Sequence, residues 1–220
     1  MNFTVIITAG GIGKRMGGKL PKQFLILKEK PILLRSIESF FNFDPTAQIL
    51  ITLPEDWISY WNELCREYSF DIQHEVIAGG VERYDSIKNA LSHAEGRNIL
   101  VHDGVRPLAS SQVIKRVVDG ISKSNGVVPV IPMKSSLRKG NHSKSQSVDR
   151  SSYWEVQTPQ GFSKEILIEA YDQPMDSNIT DDASLVERMG HSIALVEGEE
   201  QNIKITTPFD LLIASKLLES

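Results

Sequence analysis

The chain has 220 residues, 40% of them hydrophobic, and a formal charge of −4, which suits one large α/β domain or two small ones with a sizeable core. An acidic balance argues against broad nucleic-acid binding, which needs a basic face, so any cationic cluster is local. The single cysteine, Cys65, excludes a disulfide framework and a cysteine-rich zinc site and is expected to be a buried, unreactive thiol.

The first predicted element is a strand at Phe3–Thr8, an apolar run that reads as core rather than as a signal segment. No apolar run reaches membrane-spanning length, so a cytoplasmic protein is expected. The strand passes directly into Ala9-Gly10-Gly11-Ile12-Gly13-Lys14-Arg15-Met16, and Pro21-Lys22-Gln23 follows. A strand ending in a glycine-rich loop with Lys and Arg can cradle a polyphosphate. Glycine lets backbone N–H groups approach phosphate oxygens, and the cations neutralise the remaining charge. The alternative is a tight strand-to-helix turn with ordinary surface cations. Clustering of Lys14, Arg15, Lys19 and Lys22 in an acidic chain favours phosphate. Two familiar loops are excluded by spacing. The dinucleotide fingerprint requires glycine where Met16 stands, and the P-loop requires glycine at Thr8 and a hydroxyl at Arg15. The run instead resembles the glycine-rich signature of sugar-nucleotide transferases.

Further along, helical spacing predicts Ile32–Phe41, and apolar runs predict strands at Gln48–Leu53 and Glu75–Ala78. Gly79-Gly80-Val81-Glu82-Arg83-Tyr84-Asp85-Ser86 then leads into a helix over Ser86–Leu91. It is either a simple capped turn or a loop whose glycines meet a flat base, with Ser86 at the helix start bonding a base or ribose edge. A strand at Asn98–His102 runs into Asp103-Gly104-Val105-Arg106-Pro107. An Asp at such a strand end can hold magnesium on triphosphate oxygens, and Arg106 can grip a phosphate bidentately. The plainer readings are a turn residue and a surface cation. His102 reads as structural, because no second His or Cys stands at metal-ligand spacing.

A helix at Gln112–Ile121 and a strand at Gly126–Ile131 follow. Residues 134–149 are almost wholly polar, and Gly140-Asn141 can turn a hairpin, giving a projecting arm rather than a surface loop. Asp149-Arg150 and Gln157-Thr158-Pro159-Gln160 flank a short strand-like run. Glu165–Tyr171 is helical, and Ile179-Thr180-Asp181-Asp182-Ala183 opens another helix with Thr180 or Asp181 as its cap. Ser192–Val196 is the last strand. Asn202-Ile203-Lys204-Ile205-Thr206 brings a Lys just ahead of the final helix, which Thr207 caps and Pro208 begins. Alternating strands and helices imply an α/β fold, a Rossmann-like three-layer sandwich with a mostly parallel sheet and a protruding β-arm. Ligands bind beyond the carboxyl ends of strands in such sheets, where both the glycine-rich loop and Asp103 sit.

These motifs are individually weak but occur together, in order, over nearly the whole chain. Ala-Gly-Gly-x-Gly-x-Arg-Met, Pro-Lys-Gln, Gly-Gly-x-x-Arg-x-x-Ser, His-Asp-Gly-x-Arg-Pro, Val-Asp-Arg, Gln-Thr-Pro-Gln, Thr-Asp-Asp-Ala-Ser and Asn-Ile-Lys-Ile-Thr closely resemble the 2-C-methyl-D-erythritol 4-phosphate cytidylyltransferase family of the non-mevalonate isoprenoid pathway. The resemblance implies one nucleotidyltransferase domain over 1–220 and a homodimer whose arms, at about 134–153, complete each other's sites. It implies CTP as substrate and magnesium as cofactor, with no nucleic acid or membrane partner. By motif position, Ala9, Gly10, Gly11, Gly13, Gly80 and Ser86 would hold CTP. Asp103, Arg106, Ser136, Arg150, Thr158, Thr180 and Lys204 would surround methylerythritol phosphate, with Asp103 near the metal. Three positions depart from the family's habit: Gly10 stands for Ala, Val81 for Asp and Ser136 for Thr. Val81 serves if that residue gives only main chain to the base.

The expected chemistry is in-line attack of the acceptor phosphate on the α-phosphorus of CTP, with loss of pyrophosphate. A phosphate monoester needs no protein nucleophile, so positioning and charge neutralisation by Arg15, Lys22 and Lys204 should carry catalysis. The nearest alternative is ribitol-5-phosphate cytidylyltransferase, whose loops are similar. The Thr180–Ser184 run leans toward methylerythritol phosphate. A non-catalytic nucleotide-binding module on the same fold is disfavoured by the joint presence of Arg15, Lys22, Asp103 and Lys204.

Overall fold

The computed structural model describes residues 3–11, 20–174 and 181–219. Strand β1 (Phe3–Thr8) lies between β4 (Gln48–Leu53) and β6 (Asn98–Asp103), parallel to both, and β5 (Glu75–Ala78) extends the parallel run beyond β4. Side chains of a strand alternate between faces, and β1 uses both. Phe3, Val5 and Ile7 enter a core with α1 (Ile32–Phe43), α2 (Ile58–Glu67) and α4 (Ser111–Ile121). Ile6 enters a second core with α3 (Arg83–Leu91), α5 (Lys164–Tyr171) and α6 (Asp182–Arg188). Helices therefore cover both faces of the sheet. This is the expected three-layer α/β sandwich, and it explains why these strands are apolar on both sides.

The other end of the sheet is mixed. β7 (Gly126–Pro132) pairs in parallel with β12 (Ile193–Glu197). It pairs antiparallel with β10 (Trp154–Val156) and β11 (Gln160–Ser163), and β11 also runs antiparallel to β6. Since β11 and β12 both meet Gly126 and Val127, they must occupy opposite edges of β7. β10 falls in the short strand-like run expected between Arg150 and Gln157, whereas β11 is not announced by an alternating apolar pattern. Gly161 of β11 shows why its position depends on packing: a Cβ there would lie 2.6 Å from Val117 Cγ1 of α4. Helix α2 also escapes sequence reading, because only Trp61 and Leu64 of its residues are buried. The predicted elements otherwise recur with shifted ends. β6 takes in Asp103, β7 reaches Pro132, β12 slides by one residue and α1 runs on to Phe43.

Two peripheral pieces matter for the site. A short hairpin, β2 (Ile26–Leu27) with β3 (Lys30–Pro31), and α7 (Pro208–Leu217) enclose a third cluster of Leu27, Ile32, Val105, Ile205 and Ala214. Helix α7 begins as its sequence predicts, with Thr207 and Asp210 in a reciprocal capping box and Pro208 in the first turn. The polar segment forms β8 (Leu137–Gly140) and β9 (Ser145–Val148), a hairpin in its own two-stranded sheet. Gly140 takes φ of +136°, a value that disfavours other residues, and Asn141 Oδ1 accepts the N–H groups of Ser143 and Lys144 to close the turn. Among the described residues, no helix is long and apolar enough to cross a membrane. Cys65 is half-buried rather than buried, and its thiol is pushed up to about 11 by desolvation, which keeps it protonated.

Candidate active site

Four adjacent strand ends deliver the site. Ala9 N–H donates to Thr52 O at 3.0 Å, Gly79 N–H to Leu53 O at 2.7 Å and Gly104 N–H to Thr8 O at 2.9 Å, so the loops after β1, β4, β5 and β6 are tied side by side. Lys22 opens a single 3-10 turn whose next two residues are buried. Gln23 Nε2 donates to Ala9 O at 2.5 Å, and the Phe24 ring packs against Trp57, Tyr60 and Trp61. Lys22 is thereby brought over the glycine loop: a Cβ on Gly11 would be 3.7 Å from Lys22 Cε. The motif Pro-Lys-Gln thus works as a cation with a buried tether beside it.

On the facing side, α3 begins at Arg83 and is capped by Glu82. Ser86 therefore lies inside the first turn and not at the helix start, contrary to the sequence expectation, because the Glu82–Asp85 capping box starts the helix one turn earlier. Ser86 Oγ accepts Gly80 N–H at 3.0 Å and donates to Glu82 O at 3.1 Å, which holds the glycine loop against the helix. A Cβ on Gly80 would come within 2.1 Å of Asp85 Cβ, so this close approach requires glycine. Val81 lines the rim of the same cavity and is 94% exposed.

Between these loops stands Asp103, the last residue of β6. Its Oδ2 accepts Arg106 Nε at 3.2 Å and Lys204 Nζ at 3.0 Å. Burial raises the pKa of this carboxyl, but Lys204, Arg106 and Arg83 outweigh burial and hold it well below the usual carboxylate range. Lys204 reaches it because Ile203 and Ile205, on either side, pack on the α7 cluster, and Ile205 N–H bonds Val105 O at 2.9 Å. Arg106 Nη1 is held by Asn202 O at 2.8 Å, and Asn202 Nδ2 donates to Thr158 O at 2.8 Å. His102 is fully buried, which pushes its pKa down to about 4, and it bonds protein groups on both ring nitrogens. The structural reading of this histidine holds.

Arg83 is a site residue that sequence reasoning passed over. Its guanidinium grips Asp182 through Nη1–Oδ1 at 3.0 Å and Nη2–Oδ2 at 2.7 Å, and Tyr171 donates its hydroxyl to Asp182 Oδ1 at 2.5 Å. Asp182 is 0% exposed. Arg83 lies three residues before Ser86, one helical turn away, and that spacing was the available signal. Its acidic partner stands in the Thr180–Ser184 run, but nothing in the sequence pairs two residues 99 positions apart. Asp181, one of the two cap candidates, is the N-cap of α6 and accepts Ser184 N–H.

Ala9, Gly10, Gly11, Lys22, Gly80, Ser86, Asp103 and Lys204 line one cavity of about 310 Å³, together with Arg83 and Gln23. Arg106 and Thr158 are buried behind Asp103 and do not line it. Ser136 and Arg150 stand exposed at the arm, where the Arg150 guanidinium bonds the Lys134 carbonyl, and they also stand apart from this cavity. Gly13, Arg15 and Thr180 lie outside the described residues.

A mostly parallel sheet that gathers two glycine loops and two lysines at its carboxyl edge defines an α/β nucleotidyltransferase architecture. The family described as IspD, 2-C-methyl-D-erythritol 4-phosphate cytidylyltransferase, matches residues 3–220, and the chain belongs to it. A relative of that name from Bacteroides fragilis is 47% identical over 216 residues, covering 98% of this chain and 99% of the relative. Another from Phocaeicola vulgatus is 45% identical, covering 99% and 100%. The crystal structure of the Thermus thermophilus enzyme of that name superposes with a TM-score of 0.80 at 29% identity over the full length of both chains.

Proposed function

We propose that this chain joins CTP to 2-C-methyl-D-erythritol 4-phosphate, releasing pyrophosphate, and that the residues gathered around Asp103 do the work. The observation that carries the site assignment is the single cleft in which backbone of Gly10, Gly11 and Gly80 faces Lys22 and Lys204. Gly10, Gly11, Gly80 and Ser86, with Ala9 and Gly13, hold the nucleotide, largely through main chain. Arg15 and Lys22 neutralise the triphosphate and the charge that develops at its α-phosphorus. Lys204 orients the attacking phosphate of the acceptor, with Arg106 and Thr158 holding Asp103 from behind and Ser136, Arg150 and Thr180 around that substrate. No side-chain nucleophile is required, since the acceptor phosphate is already an anion. The barrier is repulsion between polyanions, and fixed cations lower it without reorganising.

Magnesium fits this arrangement through Asp103. Both cations on that carboxylate bond Oδ2, which leaves Oδ1. A magnesium ion bound to phosphates takes only one or two protein carboxylates, so the lack of a larger metal-binding cluster among the described residues is no obstacle. When bound, it would supply further neutralisation of phosphate charge.

A single catalytic domain that works as a homodimer through the arm at 134–153 belongs to the same reading. Its support is an apolar row beside the arm. Trp154, Val156 and Leu195 are exposed, and their pairing with β7 puts all three on one face of the sheet. A second copy covering that row would also bring Ser136 and Arg150 to a neighbouring cleft. Small, water-soluble substrates suit a cytoplasmic place.

The test is pyrophosphate release by the purified protein with CTP, magnesium and either methylerythritol phosphate or ribitol 5-phosphate. Release with methylerythritol phosphate is expected. Release only with ribitol 5-phosphate would move the acceptor assignment while leaving the cleft chemistry intact.

A further inference from the structure

We infer that His102 is a positioning residue for the acceptor half of the reaction, setting the direction of the Thr158 hydroxyl and the seat of the Arg106 turn. The inference rests on the reading of Asp103, Arg106 and Lys204 as the acceptor side. His102 Nε2 faces Arg106 O at 3.0 Å. A carbonyl only accepts, so this nitrogen carries the hydrogen and Nδ1 is the acceptor. Thr158 Oγ1 lies 3.0 Å from Nδ1 and also receives Asp103 N–H at 3.1 Å. A hydroxyl has one proton and two lone pairs. The proton goes to His102 and one lone pair is filled by Asp103. Thr158 stands behind Asp103 and not in the cavity, so its hydroxyl, aimed by His102, acts on the acceptor through the Asp103 N–H that it receives.

The ring cannot swing away from this duty. It packs edge-on against Phe40, with centroids 4.8 Å apart and planes at 70°. The bonds from its two nitrogens run to the turn that bears Arg106 and to the turn that bears Thr158. Neither nitrogen bonds the glycine loops, whose ties among the described residues run to Thr52, Leu53, Gln23, Ser86 and Glu82. A change at the imidazole should therefore reach the acceptor and leave the nucleotide alone.

His102→Asn and His102→Gln separate the two arms. The Asn amide oxygen falls near the place of Nδ1 and keeps the Thr158 bond; the Gln amide nitrogen falls near Nε2 and keeps the Arg106 bond. CTP affinity is measured by titration without acceptor, and KM for methylerythritol phosphate by pyrophosphate release. We expect the acceptor KM to rise at least about tenfold in each variant, the scale of one lost hydrogen bond at a buried site. CTP affinity should stay within about twofold, as for independent sites. Combining His102→Gln with Thr158→Val should be no worse than the more damaging single change, because both cut the same bond. Folded variants with an unchanged acceptor KM, parallel losses for both substrates, or additivity in that cycle would overturn the inference. If neither His102 variant folds, Thr158→Val decides alone: an acceptor KM that does not move overturns it. Wild-type protein that releases no pyrophosphate with methylerythritol phosphate would instead sink the functional reading, whatever the variants do.

Discussion

The arm at 134–153 and the short runs 102–106, 157–160 and 202–204 draw on the same kinds of polar side chain and end in opposite environments. In the arm, Arg138 bonds Ser145 across its own hairpin, and most of its residues are exposed. In the buried runs, His102, Asp103, Arg106, Thr158 and Asn202 bond one another with almost no access to water. Water satisfies an exposed polar group in any pose, whereas a buried one needs a fixed partner. The buried network therefore has one geometry and can hold a reacting group in place. The arm has no such constraint within its own chain and is suited to being placed by a second surface.

The largest effect expected on rate tests the buried side at its open edge. Lys204→Ala, and likewise Lys22→Ala, should lower kcat/KM by about 100- to 1000-fold, the usual cost of a preorganised charge donor. The fold should persist, since Lys204 is 43% exposed and Arg106 still pairs Asp103. Near-normal turnover in steady-state assays would remove these lysines from the chemistry. The largest effect on stability should come from Arg83→Met. It leaves Asp182 buried without its cation, at a cost of about 3–5 kcal/mol readable in urea unfolding.

Acid should separate the two regions next. The pKa of His102 is depressed in the fold from 6.5 to about 4. The unfolded chain thus takes up the proton first, and stability from His102 is full above pH 6.5 and lost as pH falls toward 4. Asp103 is also depressed, and its share is lost at still lower pH. Urea midpoints measured against pH should show a shallower fall in His102→Gln. Arm substitutions such as Arg138→Ala should leave that curve unchanged and shift stability by less than about 0.5 kcal/mol. The smallest effect should be at Val81. It lines the cavity rim but is 94% exposed, so Val81→Asp should alter the CTP-over-UTP preference by no more than about twofold, the scale of an ordinary surface change. A large gain in selectivity would show that this side chain reaches the base.

The strand ends that carry the site were legible because apolar runs covered on both faces stand out in a sequence. Phe3–Thr8, Gln48–Leu53 and Glu75–Ala78 were readable to the residue. The glycine loops and Lys22 were legible as motifs. β10 was legible only as a short strand-like run, and β11 and α2 were not, since their places depend on what they pack against. The same limit hid the Arg83–Asp182 pair; Ser86 was placed one turn too early for a local reason, the Glu82–Asp85 capping box that starts the helix ahead of it.

The sequence by itself determined the layering of the fold, the order of the loops at the carboxyl edge and the family, because these depend on local periodicity and on spacing along the chain. Only the tertiary structure decided that Arg106 and Thr158 stand behind Asp103 rather than in the cleft. It alone joined His102 to both of them, and it alone gave Arg83 a buried partner. Those are contacts between residues as many as 99 positions apart, and their strength comes from exclusion of water, which no local pattern in a sequence records.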